Sequence, residues 1–285
     1  MSERDPASGA SASISAVVVA FNSGVWLKHC AQALLASAQV AELIIVDNAS
    51  SDGSADSVSA LAKVQILRNA VNLGFAAGCN RGAAQSQQAW LLFVNPDCVV
   101  APDQLSALLR IAASEPNAGV VSAQLLNADG SAQRASLRNE PTPARAIAQA
   151  LGLSAWSTRV QGVEMRVPKA EGLHEVDACS GALMLMRRSL FTQLGGFDEG
   201  YFLHCEDLDL CHRVRAAGFR VLVDTRVRVP HAKGTSSQHS AALVRRAKYY
   251  GMLRYFAKFH ASSTPAWLRV LARAGLWLRF RFGRG

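Results

Sequence analysis

Apolar residues recur along this chain in two alternating rhythms. "ISAVVVA" (14–20) is an unbroken β-branched run of the buried-strand type. "GVWLKHCAQALLAS" (24–37) then spaces its apolar positions three and four apart, with Ser23 placed as an N-cap. "ELIIVD" (42–47) is a second strand, followed by the turn "NASSDGS" and a short helix to about 62. "VQILR" (64–68), a helix over 75–88, "AWLLFV" (89–94), a proline-started helix (102–114) and "AGVVSAQLL" (118–126) continue the alternation. Strands and helices alternating at this spacing predict a mostly parallel sheet with right-handed crossovers and helices on both faces, a Rossmann-like α/β fold.

Periodicity weakens over 127–172, where "NADGS" and "RNEPTPAR" predict an irregular segment, read as a lid or acceptor loop. A strand over 182–186 and a short helix follow. A further helix starts near 205–207 and ends near Gly218, ahead of a strand over 219–223. Two helices are predicted beyond about 236, broken by "SSTP" (262–265). The division is therefore a lead-in (1–13), an α/β domain (14–235, its halves meeting near 126) and a helical extension (236–285). The polar lead-in "MSERDPASGASAS" has no apolar run of the secretory type and is expected to be disordered. No window offers about 18 uncharged apolar residues, so no spanning helix is expected.

Charge changes this picture at one end. The net charge is +9, but no acidic residue follows Asp224, while thirteen of the 30 Lys and Arg do. Up to that point 17 basic residues face 21 acidic ones, so a mildly acidic domain carries a strongly basic tail. "RRAKYYGMLRYFAKFH" (245–260) and "WLRVLARAGLWLRFRFGRG" (267–285) interleave those charges with aromatics and Leu. They suit either helices packed on the domain or basic amphipathic helices lying on an anionic membrane surface. No nucleic-acid motif accompanies the charge, so nucleic acid is not the expected partner. Six cysteines with no CxxC pair predict reduced thiols and a cytoplasmic setting.

In parallel α/β sheets ligands bind beyond the carboxyl ends of the strands. Four polar clusters fall there: Phe21-Asn22, Asp47-Asn48, "NAVNLGFAAGCNRG" (69–82) and Asn95-Pro96-Asp97. Turns are rich in Asn, Asp and Gly for backbone reasons alone, so the signal lies in four successive strand ends converging on one rim. Asp97, projected by the apolar run "LLFVNP", suits a hard divalent cation shared with phosphate oxygens; a plain aspartate in a proline turn is the competing reading. "YFLHCEDLDLCHR" (201–213) crowds Glu206, Asp207 and Asp209 among apolar residues, with His204 beside them. Asp209, in the first helical turn, suits the positive end of the helix dipole, whereas Glu206 and Asp207 lie at the loop junction.

"AVVVAFNSGVWLKHCAQALLAS", "ELIIVDNASSDGS", "NLGFAAGCNRG", "LLFVNPDCVV", "SGALMLMRRSLFTQLGGFDEGYFLHCEDLDLCHRVRAAGFRV" and "VPHAKGTSS" occur in that order. Over roughly 14–240 the chain thereby resembles the family-two inverting glycosyltransferases of the GT-A fold, in particular rhamnosyltransferase-like members acting on lipid-linked saccharides. The resemblance implies that Ala20, Phe21 and Asn22 line the base pocket, that Asp47 accepts from base or ribose, and that Asn72, Gly74 and Asn80 lie along the nucleotide sugar. It puts Asn95-Pro96-Asp97 where many members have Asp-x-Asp. With Asn95 in place of one carboxylate, Asp97 becomes the principal acidic ligand for Mg²⁺ or Mn²⁺, and strict metal dependence is put in doubt. His231 matches a histidine that resembles a metal ligand in related galactofuranosyltransferases. Asp207 of the "ED" pair corresponds to the general base, with Glu206 contacting acceptor hydroxyls or holding the loop and His204 as a lesser rival.

The implied reaction moves a sugar, L-rhamnose from dTDP-rhamnose, onto a glycolipid or polysaccharide precursor at the inner face of the plasma membrane. UDP-galactofuranose or another donor, and a non-catalytic nucleotide-sugar-binding protein, are the alternatives. A nucleotidyltransferase would need a Gly-rich, basic loop after the first strand, which "FNSGV" lacks.

Overall fold

The computed structural model describes residues 13–145, 165, 170–232 and 241–282. The expected lead-in, bar Ser13, and the greater part of the 127–172 segment lie outside the described residues. Five strands follow the hydrophobic runs closely: β1 (Ile14–Ala20), β2 (Val40–Asp47), β3 (Val64–Arg68), β4 (Trp90–Val94) and β5 (Ala118–Leu126). Between them run α1 (Gly24–Leu35), α2 (Phe75–Gln85) and α3 (Pro102–Ser114). The helix expected after β2 shortens to a single 3-10 turn, Asp56–Val58. Its serine-rich sequence bonds locally instead, with Ser57 and Ser59 hydroxyls donating to the carbonyls of Ser54 and Asp56.

The second half contributes β6 (Leu137–Arg138), β7 (Leu173–Val176), β8 (Ala178–Cys179), β9 (Leu183–Arg187), α4 (Arg188–Gln193), α5 (Glu206–Ala216) and β10 (Arg220–Pro230). α6 (Ala241–Phe259) and α7 (Ala266–Phe282) complete it. The main sheet has eight strands in the order β3-β2-β1-β4-β9-β5-β10-β7. β1, β2, β3 and β4 pair in parallel, as do β5 and β10, while β9 runs antiparallel between β4 and β5 and β7 antiparallel beside β10. The mostly parallel α/β sheet is thus confirmed. The two halves of the chain interleave in it, because β9 inserts between strands of the first half.

Strand positions alternate between two apolar layers. Ala16, Val18 and Leu92 face Leu27, Leu34, Leu105 and Leu108 of α1 and α3. Val17, Val19 and Phe93 face α2, α4, α5 and Tyr255 of α6. β10 runs well past the expected 219–223. Its last residues, with Arg226 and Arg228 exposed and Val227 and Val229 buried, read as a half-covered strand. That extension carries the chain to His231 beside β4's end, where Cys98 and His231 form an isolated antiparallel bridge.

Candidate functional site

The carboxyl ends of β1, β2 and β3 form one rim, as parallel register requires: Ala20 lies opposite Asp47, and Asp47 opposite Arg68. Backbone bonds stitch the loops that leave it, Asn48 N to Ala20 O (2.8 Å) and Asn69 N to Asp47 O (2.8 Å). Phe21 and Asn22 are half-buried at the mouth. Asn22 takes a left-handed backbone (φ 48°) and accepts from the Ser51 amide at 2.8 Å. Asp47 is buried and accepts from the Ser50 amide (3.0 Å) and from Arg68 (3.2 Å). Asn48 donates to the Gly74 carbonyl (3.0 Å) and accepts from Asn69 (2.6 Å). Asn72 accepts from the Gly74 amide at 2.9 Å, closing a local turn. These uncharged amides set the loop over which a nucleotide could lie.

Asn80 turns away from that loop. Its amide donates to Phe197 O and Glu199 and accepts from Phe197 N, so it latches α2 onto the stretch ahead of the acidic motif. Its side-chain amide is engaged in that latch at both its nitrogen and its oxygen.

Asp97 follows β4 and is buried, and His231 Nε2 lies 3.2 Å from its Oδ1. Gln133 donates to the carbonyls of His231 (2.8 Å) and Leu126 (3.2 Å), so its oxygen accepts from His231 Nδ1 (2.9 Å). That bond puts the proton of a neutral ring on Nδ1 and aims the Nε2 lone pair at a carboxylate, an arrangement that a bridging proton or cation must satisfy. An imidazole nitrogen and a carboxylate oxygen side by side fit a divalent cation. No group of three or more His, Cys, Asp and Glu suited to a metal occurs among the described residues. Asn95 lends only backbone contacts, its amide donating to Ala182 O and its carbonyl accepting from Cys98 N. Sequence reasoning missed Gln133, because nothing local marks it; only the β10 extension brings His231 to it.

Across the rim stand Glu206 and Asp207, both buried, at the start of α5. The two preceding residues, His204 (φ 66°) and Cys205 (φ 72°), occupy the left-handed region, which costs non-glycine residues on the order of 1–3 kcal/mol each. That double turn points two successive carboxylates inward. Asp207 Oδ2 accepts from the Gly181 amide (2.9 Å) and from Arg138, and Oδ1 from the Leu208 amide (2.8 Å). Burial pushes its pKa up, but the Arg138 charge and these hydrogen bonds more than reverse that and hold it below the usual carboxylate range. Glu206 makes no such ion pair, and the Arg138 charge opposes its shift only as the least of the causes. Burial first and the Asp207 charge second push it well above the ordinary value, and its Oε2 has no hydrogen-bond partner. Neighbouring carboxylates driven apart in this way are suited to different proton roles.

Arg138 was not legible in the sequence. It comes from the two-residue β6, inside a segment with no periodicity, and pairs with a residue 69 positions away. Asp209 lies in the first turn of α5, as expected, and beyond that accepts from Arg213 (2.6 Å) and Lys258 (2.7 Å) while fully buried. Besides the Asn80 latch, the two sides of the rim touch at Phe202. Phe75 N donates to Phe202 O (2.8 Å), and Gly74 (φ 86°) lies so close that a Cβ there would collide with the same carbonyl.

Comparison with known proteins matches residues 15–195 to the family model "Glycosyl transferase family 2". The chain is 30% identical over 277 residues (92% of this chain, 90% of the relative) to the N-acetylglucosaminyl-diphospho-decaprenol L-rhamnosyltransferase of Mycobacterium tuberculosis. It is 32% identical over 136 residues (46% of this chain, 48% of the relative) to the rhamnosyltransferase WbbL of Escherichia coli. Among solved structures, GalNAc-T7 with UDP, GalNAc and Mn²⁺ shares the fold at a TM-score of 0.61 and 18% identity, covering 86% of this chain and 47% of that one. The match of more than half the chain to this family model, together with a relative 30% identical along nearly its whole length, means that the chain belongs to glycosyl transferase family 2 and is a glycosyltransferase.

Proposed function

We propose that this glycosyltransferase moves L-rhamnose from dTDP-rhamnose onto a lipid-linked saccharide with inversion, and that Asp207 is its general base. The observation that carries this is the meeting of the donor-side loop and the acidic stretch at Gly74 and Phe202, which sets the carboxylates beside the loop where a nucleotide sugar would lie. The sugar and the class of acceptor are those in the name of the M. tuberculosis relative.

In a single displacement the acceptor hydroxyl attacks the anomeric carbon, its proton passes to the base, and the nucleoside diphosphate leaves with the electron pair of the broken bond. A positioned base contributes on the order of 10²–10⁴-fold. Arg138 and the Gly181 amide favour the ionised form of Asp207, the form able to accept a proton, while lowering its basicity. Asp97 and His231 would hold Mg²⁺ or Mn²⁺, which supplies charge neutralisation for the leaving diphosphate; the nitrogen ligand favours Mn²⁺ over the oxygen-seeking Mg²⁺. Gln133 orients the imidazole for that role. Asp47, at the end of β2, is the base or ribose acceptor, with Ala20, Phe21 and Asn22 beside it. A second reading makes Glu206 the base, favoured by its unpartnered Oε2 and raised pKa.

No described helix is long and apolar enough to cross a membrane. α7 exposes Trp267, Val270, Leu271, Trp277 and Leu278, spaced along one stripe, with Arg269, Arg273 and Arg281 also exposed. This supports α7 as the element that lies on anionic lipid at the inner face of the membrane. The test is a panel of dTDP-, UDP- and GDP-sugars with Mn²⁺, read by thermal shift and by transfer to a polyprenyl-diphosphate-linked acceptor on anionic vesicles. dTDP-rhamnose should stabilise the protein and give product, and the protein should float with the vesicles in a salt-sensitive way. Stabilisation by a different nucleotide sugar alone overturns the donor, binding of donor without product overturns the enzyme, and failure to float overturns the anchor.

A further inference from the structure

The basic extension does more than offer α7 to a surface, because α6 is built into the acidic loop. Gly251 lies against the strained turn: a Cβ there would sit 3.0 Å from His204 O and 3.1 Å from Cys205 Sγ. Tyr255, one turn further on the same face, is fully buried among the apolar residues behind α5. One more turn along, Lys258 Nζ donates to Asp198 Oδ2 (2.7 Å) and Asp209 Oδ2 (2.7 Å). Arg254 grips the same Asp198 with two nitrogens at 2.8–3.2 Å and lies 5.4 Å over the Tyr201 ring. Asp198 and Asp209 flank the acidic stretch, one before Tyr201 and one two residues beyond Asp207. α6 therefore clamps both ends of the segment that contains the carboxylates and fills the space under its left-handed turn.

We propose that Lys258 and Gly251 are positioning residues for catalysis, holding Glu206 and Asp207 at the acceptor side of the rim. The physical need is clear from the backbone. Two consecutive non-glycine residues in the left-handed region persist only where surrounding structure over-determines them. α5 supplies no side-chain cap of its own at Cys205. Lys258 supplies the external constraint through Asp209, which Arg213 holds from the other side (2.6 Å) while itself donating to Leu194 O (2.7 Å). Gly251 supplies it by close approach, since any larger residue would push on His204 and Cys205. Slackening this clamp moves a carboxylate rather than unfolding the sheet, which lies beyond it.

The inference rests on a proton role for the Glu206–Asp207 pair, and its test separates the two. Lys258→Met, Lys258→Arg and Gly251→Ala would be compared with wild type and Asp207→Asn in steady-state transfer, with donor affinity and thermal midpoint measured alongside. A displacement of about 1 Å at a reacting group can cost 10²-fold. Lys258→Met should lower kcat by roughly tenfold or more with the donor KM within about twofold, and Lys258→Arg should recover the greater part of it. Gly251→Ala keeps every charge and should lower kcat in the same sense. It carries the test alone if Lys258→Met does not fold. If Asp207→Asn and Glu206→Gln both keep wild-type kcat, the proton role of the pair fails whatever Lys258 does. If either abolishes transfer while Lys258→Met and Gly251→Ala keep wild-type kcat, the positioning role fails alone. A parallel fall of kcat, donor affinity and thermal midpoint, unrelieved in Lys258→Arg, would also overturn it in favour of a merely structural contact.

Discussion

The two sides of the rim are made of different materials. On the donor side the loops are shaped largely by amide bonds between near neighbours, Asn72 to Gly74 across two residues and Ser50 to the Asp47 carboxylate across three, with Asn69 to Asn48 and the Arg68–Asp47 ion pair each reaching across 21. On the acceptor side the contacts are charged and long-range: Arg138 to Asp207 across 69 residues, Lys258 to Asp209 across 49. A neutral amide network can shape a loop without taking a position on protonation. A buried carboxylate cannot, because its charge state depends on which cation reaches it. Loop shape can therefore be laid down largely by near neighbours, while the charged groups, Asp207 with Arg138 and Asp97 with His231 alike, are assembled from distant parts of the chain.

The largest effect should come from the acceptor side. Asp207→Asn should lower kcat by 10²–10⁴-fold while leaving donor-induced thermal stabilisation nearly unchanged. Glu206→Gln should cost less, and if the order is reversed, with Asp207→Asn keeping more than a tenth of wild-type kcat, the base is Glu206. On the donor side, Asp97→Ala should remove the Mn²⁺ dependence of donor binding. Gln133→Ala, which removes the bonds behind His231 and one to the Leu126 carbonyl, should weaken the Mn²⁺ response by about 10–100-fold. Equal donor affinity with and without Mn²⁺ in wild type would sink both expectations and erase the contrast between the two sides.

The smallest effect concerns stability behind the acceptor side. Glu140 accepts from His212 (2.9 Å) and Arg215 (2.8 Å), and the His212 bond first, with Arg215 and against burial, lowers its pKa from 4.5 to about 2. A lowered carboxylate pKa contributes stability that is present above the unfolded value of about 4.5 and is lost as pH falls through about 2. The gap in thermal midpoint between wild type and Glu140→Gln should accordingly be constant near neutrality and shrink in acid. A gap of the same size at both ends would show that the ion pairs add nothing to folding.

Much of the fold was legible because hydrophobic period is a local property. β1, β3, β5 and α3 begin and end where the apolar runs do, and "SSTP" separates α6 from α7. The tail was legible only as a choice. The same mixture of Lys, Arg, Leu and aromatics makes α6, which buries Tyr255, and α7, which exposes Trp267 and Trp277. Composition does not say which helix finds a partner. Asn80 belongs to the same lesson, a residue in a donor-like motif whose amide also ties α2 to Phe197, a bond that no local pattern marks.

By itself the sequence determined the α/β alternation, the four polar strand ends and the acidic stretch, since each depends on neighbours within one element. Tertiary structure alone decided what those groups do chemically. It brought Gln133 behind His231 and Arg138 onto Asp207, and left Glu206 Oε2 without a hydrogen-bond partner. It also set Gly251 and Lys258 against the turn that aims both carboxylates. Charge state and side-chain direction depend on the field and the packing at a point in space, and the residues that meet at that point are far apart along the chain.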